Sequence, residues 1–268
     1  MTNTNLKNAP ADVIRAEGLS LRRGGELLLN KLSWRVSRGE HWAVLGANGA
    51  GKTLLLKMLT GYLWPTEGRV EILGETLGRV DVRELRRSLG WVAKALEELT
   101  PPQTTVLEVI LSGPEASLGL YVEPSPEQLR AAEALAGDFG LARLAGREFG
   151  LLSSGERQRA LLARAAAHKP SILFLDEPMS NLDMAGREQF MALLTKLAAG
   201  PDAPTVILTT HNTLEIAPFM THALFMKDGA EVASGPLTET MRPEVLEAVF
   251  GLPLQVERTA AGRYLAYL

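Results

Sequence analysis

Gly46-Ala47-Asn48-Gly49-Ala50-Gly51-Lys52-Thr53 decides how this chain folds. The stretch satisfies the spacing G-x-x-x-x-G-K-[ST], in which glycines let consecutive backbone N–H groups curl around phosphate oxygens where a Cβ would clash. Its flanks agree. His41-Trp42-Ala43-Val44-Leu45 is a short apolar run that enters the loop, and Leu54, Leu55, Met58 and Leu59 recur at helical spacing after it. Strand, glycine loop and helix thus occur in the order that a phosphate cradle at a helix N-terminus requires.

Before the loop, residues 13–21 and 32–36 alternate apolar and polar around Gly24-Gly25, the pattern of half-buried antiparallel strands. After it, Pro65-Thr66-Glu67-Gly68 reads as a turn, with strands expected over 70–73 and 89–93. The texture then changes. From about residue 94 to 164 no strand pattern is present, and helical segments are separated by Pro101-Pro102, Gly113-Pro114 and Pro124-Ser125-Pro126. Ser125 is expected to cap a helix with Pro126 at its first position. From Ser171 the α/β rhythm resumes: a strand over 172–175, a helix over 184–199, strands near 206–208, 223–226 and 231–233, then a hairpin over 254–267 turning at Ala260-Ala261-Gly262. Buried strands alternating with helices predict an α/β fold with a parallel sheet covered on both faces. The expected organisation is a frayed end at 1–11 and one domain at 12–268. Within it, 12–93 and 165–268 build the core with an antiparallel β subdomain, and 94–164 form an inserted helical subdomain.

Bulk properties narrow the function. The net charge of −3 gives no electrostatic reason to bind nucleic acid or anionic lipid. With no cysteine there is neither a disulfide nor a thiolate metal site. No run approaches the ~18 apolar residues of a membrane span, and the opening ten residues lack a secretory apolar core. The chain is therefore expected neither to export itself nor to cross a membrane.

Further motifs follow the loop in a fixed order. Ile172-Leu173-Phe174-Leu175-Asp176-Glu177 is a buried strand delivering two carboxylates to its C-terminal end, where parallel α/β sheets place ligands. Leu152-Ser153-Ser154-Gly155-Glu156 precedes it, Ser180-Asn181-Leu182-Asp183 follows it, and His211 comes after the strand ending in Thr209-Thr210. On residue types alone, Ser153 and Glu156 fit a capping box at a helix start as well as an anion site.

Together these motifs make the chain resemble the ATP-binding subunits of ABC transporters from about Val13 to the C-terminus, with the P-loop NTPase core of that family. The resemblance implies that the N–H groups of Gly46, Ala47, Asn48, Gly49, Ala50 and Gly51 cradle phosphate while Lys52 reaches the β- and γ-phosphates. It implies that Thr53 and Asp176 hold Mg²⁺, that Glu177 polarises the attacking water, and that His211 contacts the γ-phosphate. The signature residues Ser153, Ser154, Gly155 and Glu156 act in trans on ATP held by a second subunit, with Ser180 and Asp183 in the D-loop. The implied partners are a second copy of the chain, a transmembrane permease and, through it, a solute-binding protein, with no nucleic acid. The implied place is cytoplasmic, on the inner face of the cell membrane, in an importer. An alternative is a soluble regulatory or repair-type ABC ATPase with no permease. A guanine-specific GTPase is excluded by the lack of an Asn-Lys-x-Asp motif, since Asn30-Lys31-Leu32-Ser33 has no carboxylate.

Two positions depart from the family pattern. Arg23 stands where an aromatic usually stacks on adenine, a contact a guanidinium plane can also make. Lys94 stands at the Q-loop glutamine, and an ammonium, having only donors, cannot replace a metal-facing carbonyl. The tail Val249-Phe250-Gly251-Leu252-Pro253-Leu254 is similar to siderophore, haem and cobalamin importer ATPases. The stretches Gly90-Trp91-Val92 and Pro101-Pro102-Gln103-Thr104-Thr105-Val106-Leu107 are similar to stand-alone, molybdenum-related ones.

Overall fold

Strand alternation at the N-terminal end produces a hairpin. β1 (Asp12–Arg23) and β2 (Glu26–Ser37) pair antiparallel, with Ile14 opposite Val36 and Ala16 opposite Trp34. The computed structural model describes residues 12–117, 119–120 and 123–268, so the end expected to fray, 1–11, lies outside the described residues. The chain forms two compact units, the first running to Leu85 and resuming at Thr209, the second spanning Arg86–Leu208.

In the first unit, β3 (Trp42–Leu45) is buried at every position and leads through the glycine loop into α1 (Lys52–Leu59). β4 (Glu67–Ile72) joins the other edge of β1, where Ile14 meets Ile72 and Ala16 meets Val70. β5 (Glu75–Thr76) completes a four-stranded antiparallel sheet in the order β2-β1-β4-β5. The apolar rows Val36, Ile14, Ile72 and Trp34, Ala16, Val70 run across three strands and are buried together, which fixes the register, because a one-residue slip would turn each row to solvent. The short helix α2 (Val82–Arg86) ends this stretch.

The second unit begins with β6 (Leu89–Ala93), again buried throughout. Helices follow: α3 (Lys94–Leu99), α4 (Val106–Leu111), α5 (Pro126–Asp138) and α6 (Ser154–Ala166). The latter three each start with a reciprocal capping box, Thr105 with Glu108, Ser125 with Gln128 and Ser153 with Glu156. Each such cap contributes about 1 kcal/mol and sets where its helix begins. α4 packs on both α5 and α6. β7 (Ile172–Asp176) then returns parallel to β6, Leu89 opposite Ile172 and Ala93 opposite Asp176, and lies between β6 and β8. α7 (Met184–Leu197) connects β7 to β8 (Thr205–Thr210). Ser171 accepts from the Thr205 N–H at 3.0 Å where β8 begins.

The chain closes in the first unit. β9 (His222–Lys227) pairs parallel with β3, and β10 (Ala230–Pro236) pairs antiparallel with β9. α8 (Leu237–Thr240) and α9 (Pro243–Phe250) occupy a stretch that the sequence reading left unassigned. The signals were present: Pro243 at the first helical turn and Gly251 in the left-handed conformation just past the end. β11 (Gln255–Arg258) and β12 (Tyr264–Tyr267) form the expected terminal hairpin.

Candidate functional site

The glycine loop of the first unit is built against its own sheet. A Cβ on Gly46 would fall 2.5 Å from the Met226 carbonyl oxygen of β9 and 2.9 Å from Ala50 Cβ, so the loop lies closer to β9 than any side chain permits. Gly51, the N-cap of α1, has φ 98°, and α1 carries neither a side-chain cap nor an acid in its first turn. Its N-terminal dipole is left without an anion from the helix itself. Lys52 is buried and curls back, its ammonium donating to the Gly46 and Ala47 carbonyls at 2.8 and 3.1 Å. Ala47, Asn48, Gly49 and Thr53 are exposed. Arg23 is exposed at the last position of β1, opposite Glu26.

His211 also belongs to the first unit and is exposed immediately after β8, whose last residues Thr209 and Thr210 are fully buried. The Thr210 hydroxyl donates to Glu215 Oε2 at 2.6 Å and accepts the Asn212 N–H at 3.0 Å. Sequence reasoning missed Glu215, because nothing in its neighbourhood marks one surface-type residue as buried.

In the second unit, Asp176 ends β7 at 9% exposure, and Glu177 follows it with φ 47°. The left-handed backbone at Glu177 is held by Ser180, whose N–H and hydroxyl both donate to the Glu177 carbonyl, at 3.3 and 3.0 Å. Asp183 caps α7, accepting the Gly186 N–H at 2.7 Å. The structure therefore brings 176, 177, 180 and 183 into one continuous turn, in which the serine and aspartate have backbone-shaping work of their own.

The signature stretch opens α6 in the same unit. Glu156 Oε2 accepts the Ser153 N–H at 2.7 Å and its hydroxyl at 2.9 Å, while Ser153 Oγ accepts the Glu156 N–H at 3.4 Å. The Ser153 N–H holds the Glu156 carboxyl below its usual range, with the Ser153 hydroxyl, Arg147 and Arg159 acting in the same sense against partial burial. Ser154 is exposed. A Cβ on Gly155 would meet nothing nearer than Arg159 Nη1 at 3.9 Å, so among the described residues no atom demands glycine there. Arg157 ties the helix start down, donating to the Phe149 and Gly150 carbonyls at 3.3 and 2.9 Å and approaching Glu97 at 3.4 Å. Lys94 is the first residue of α3; its side chain is 73% exposed, with Nζ 3.6 Å from Glu98 Oε1.

Among the described residues no group of three or more His, Cys, Asp or Glu forms a metal cage. Asp176 in the second unit and the Thr53 hydroxyl in the first are each a hard oxygen donor of the kind Mg²⁺ takes. Among the described residues no helix is long and apolar enough to cross a membrane.

The family described as ABC transporter matches residues 29–180. An uncharacterized ABC transporter ATP-binding protein of Bacillus subtilis (strain 168), YlmA, is 39% identical over 245 residues, covering 91% of this chain and 93% of that protein. The hemin import ATP-binding protein HmuV of Rhodopseudomonas palustris (strain HaA2) is 32% identical over 261 residues, covering 93% and 94%. Among solved structures, a dimeric ATP-binding cassette in a post-hydrolysis state, bound to ADP and Pi, matches with TM-score 0.73 and 27% identity over 84% of this chain and 98% of that one.

Proposed function

The chain belongs to the ABC transporter family of ATP-binding proteins, and from that premise we propose that it powers an importer by closing on ATP as a dimer and driving a separate membrane permease. It is an ATP-hydrolysing cassette with the P-loop NTPase fold. The observation that carries the dimer reading is the contrast at its glycines: Gly46 is required by this chain's own atoms, whereas at half-buried Gly155 an added Cβ would clash with none of the described residues. A glycine with no internal reason suits a surface that another molecule must approach closely. Resemblance to an importer ATPase over 93% of the chain supports the direction of transport.

In this reading the loop N–H groups of 46–51 and the Lys52 ammonium bind the β- and γ-phosphates, with Lys52 exchanging its present carbonyl partners for phosphate oxygens. Arg23 lies along the base. Magnesium, when bound with the nucleotide, neutralises charge on the phosphate oxygens; the Thr53 hydroxyl and the Asp176 carboxylate would hold it. Lys94, engaged with Glu98 and solvent, takes no part in that. Glu177 accepts the proton of the water that attacks the γ-phosphorus as the β–γ bridging bond breaks, and His211 orients the γ-phosphate. Ser153, Ser154, Gly155 and Glu156 present the start of α6 to nucleotide on the partner copy, beside the D-loop residues Ser180 and Asp183.

The test is nucleotide-dependent association of the Glu177→Gln variant together with its membrane partner. The variant is expected to bind ATP, to hydrolyse it at least about a hundredfold more slowly, and to sediment as a dimer with ATP but not with ADP. The native complex is expected to co-purify from membranes with a multi-span protein, placing the chain peripherally on the membrane. A monomer in the presence of ATP would remove the dimer reading. Isolation without any multi-span partner would favour an ABC ATPase without a permease.

A further inference from the structure

Two carboxylates are buried among the described residues, Asp176 and Glu215, and the reading above uses only the first. Glu215 is 4% exposed, and burying an ionised carboxylate is costly unless a partner with good geometry meets it. Thr210, itself fully buried, supplies that partner: its hydroxyl donates to Oε2 at 2.6 Å, the length of a charge-assisted O–H···O⁻ bond. A hydroxyl has one proton to give and two lone pairs to offer. With the proton committed to Glu215, a lone pair is directed to the Asn212 N–H at 3.0 Å. One side chain thus pins the backbone on both sides of His211. The turn beyond is held as well: Asn212 Oδ1 accepts the Leu214 N–H at 3.0 Å, the Asn212 carbonyl accepts the Glu215 N–H at 3.0 Å, and Thr213 Oγ1 accepts the Ala266 N–H of β12 at 3.2 Å.

We propose that Glu215, acting through the Thr210 hydroxyl, is a positioning residue that fixes the backbone flanking His211 and so sets where the imidazole meets the γ-phosphate. The hairpin strand β12 braces the same turn from its other side through Thr213. The proposal rests on the reading that His211 contacts that phosphate. Without the carboxylate, the Thr210 proton has a second acceptor in the Asn212 carbonyl at 3.4 Å, and moving to it would loosen the Asn212 bond. Glu215 would therefore affect the rate of the chemical step far more than ATP binding.

The experiment compares steady-state ATP hydrolysis in Thr210→Ser, Thr210→Val, Glu215→Gln and His211→Ala, each checked for folding by thermal melting. Thr210→Ser keeps the hydroxyl and loses a packed methyl, whereas Thr210→Val keeps the shape and loses the hydroxyl. The expected result is near-native kcat in the serine variant. In the valine variant kcat should fall about tenfold or more at unchanged KM for ATP, since a misplacement on the order of 1 Å can cost about a hundredfold. Glu215→Gln, which keeps size and an acceptor but not the charge, should lower kcat by a smaller factor, and it carries the test alone if the valine variant does not fold. The Thr210→Val/His211→Ala double variant should be no slower than His211→Ala, because both act through one group. Native kcat in Thr210→Val or in Glu215→Gln, or a serine variant as slow as the valine one, would overturn the proposal in favour of a packing role. His211→Ala at native turnover would instead remove the role of His211 itself.

Discussion

The N-terminal starts of α1 and α6 are capped in opposite ways. At α1 the helix start has a left-handed glycine for a cap, no acid in the first turn, and a lysine folded onto the loop carbonyls. At α6 the start is already satisfied, with the Glu156 carboxylate seated on the N–H and hydroxyl of Ser153. On the proposed reading, a phosphate at the first start takes the Lys52 ammonium over from the Gly46 and Ala47 carbonyls. The second carries its own anion, so on the proposed reading a phosphate brought by another chain would share the helix end with a carboxylate. On the proposed reading the difference separates binding from closure: the loop would hold nucleotide alone, while the signature would resist phosphate until association supplied compensating contacts.

Substitutions at the two starts should behave differently, and the largest effect is expected at Gly46. Gly46→Ala drives a methyl into the Met226 carbonyl and Ala50, and should cost about 3 kcal/mol or more as β9 and the loop separate. A thermal melt within a degree or two of native would break the account of the loop. Gly155→Ala meets no such obstacle and should leave the melt unchanged or slightly raised, by up to about 1 kcal/mol of helix propensity, while ATP-driven dimerisation and turnover fall more than about tenfold. Equal loss of stability at both glycines would erase the distinction. Ser153→Ala should remove about 1 kcal/mol of helix-start stability, visible by chemical denaturation of the isolated subunit.

The smallest effect is expected at Glu156. Its folded carboxyl titrates lower than the free side chain, so its contribution is fully present above the ordinary carboxylate value of about 4.3 and is lost as pH falls through the depressed folded value. Glu156→Gln should flatten this acid limb of the stability curve, and by removing a like charge it should strengthen ATP-dependent association a few-fold at neutral pH. Weaker association in that variant would show that the carboxylate helps closure rather than opposing it.

How much of this could be read in the sequence depended on whether the signal was local. The glycine loop, the Ser153–Glu156 capping box, the Ser125 cap with Pro126 and the terminal hairpin at Gly262 all follow from residue types a few positions apart, and the structure has them where the spacing puts them, while the Thr105–Glu108 box emerged only in the structure. α8 and α9 are hard to read despite proline and glycine punctuation, because α8 has four residues and α9 eight, and the buried positions Leu246 and Val249 of α9 lie less than one turn apart. The pose of Lys94 was open from sequence, since its pairing with Glu98 depends on α3 beginning at that residue. The burial of Glu215 was illegible for a deeper reason: a glutamate is recognised as internal only when the group that neutralises its cost is known to face it, and the Thr210 rotamer is a tertiary fact.

The left-handed backbone at Glu177 has an evolutionary corollary. For a residue with a Cβ that conformation costs about 1–2 kcal/mol, and glycine and asparagine tolerate it best. On the reading proposed for Glu177, selection for turnover alone keeps a glutamate where the chain would rather have something smaller. A lineage that abandoned hydrolysis should drift to asparagine or glycine at 177 and become sturdier as it did so, leaving a molecular fossil legible from that one codon.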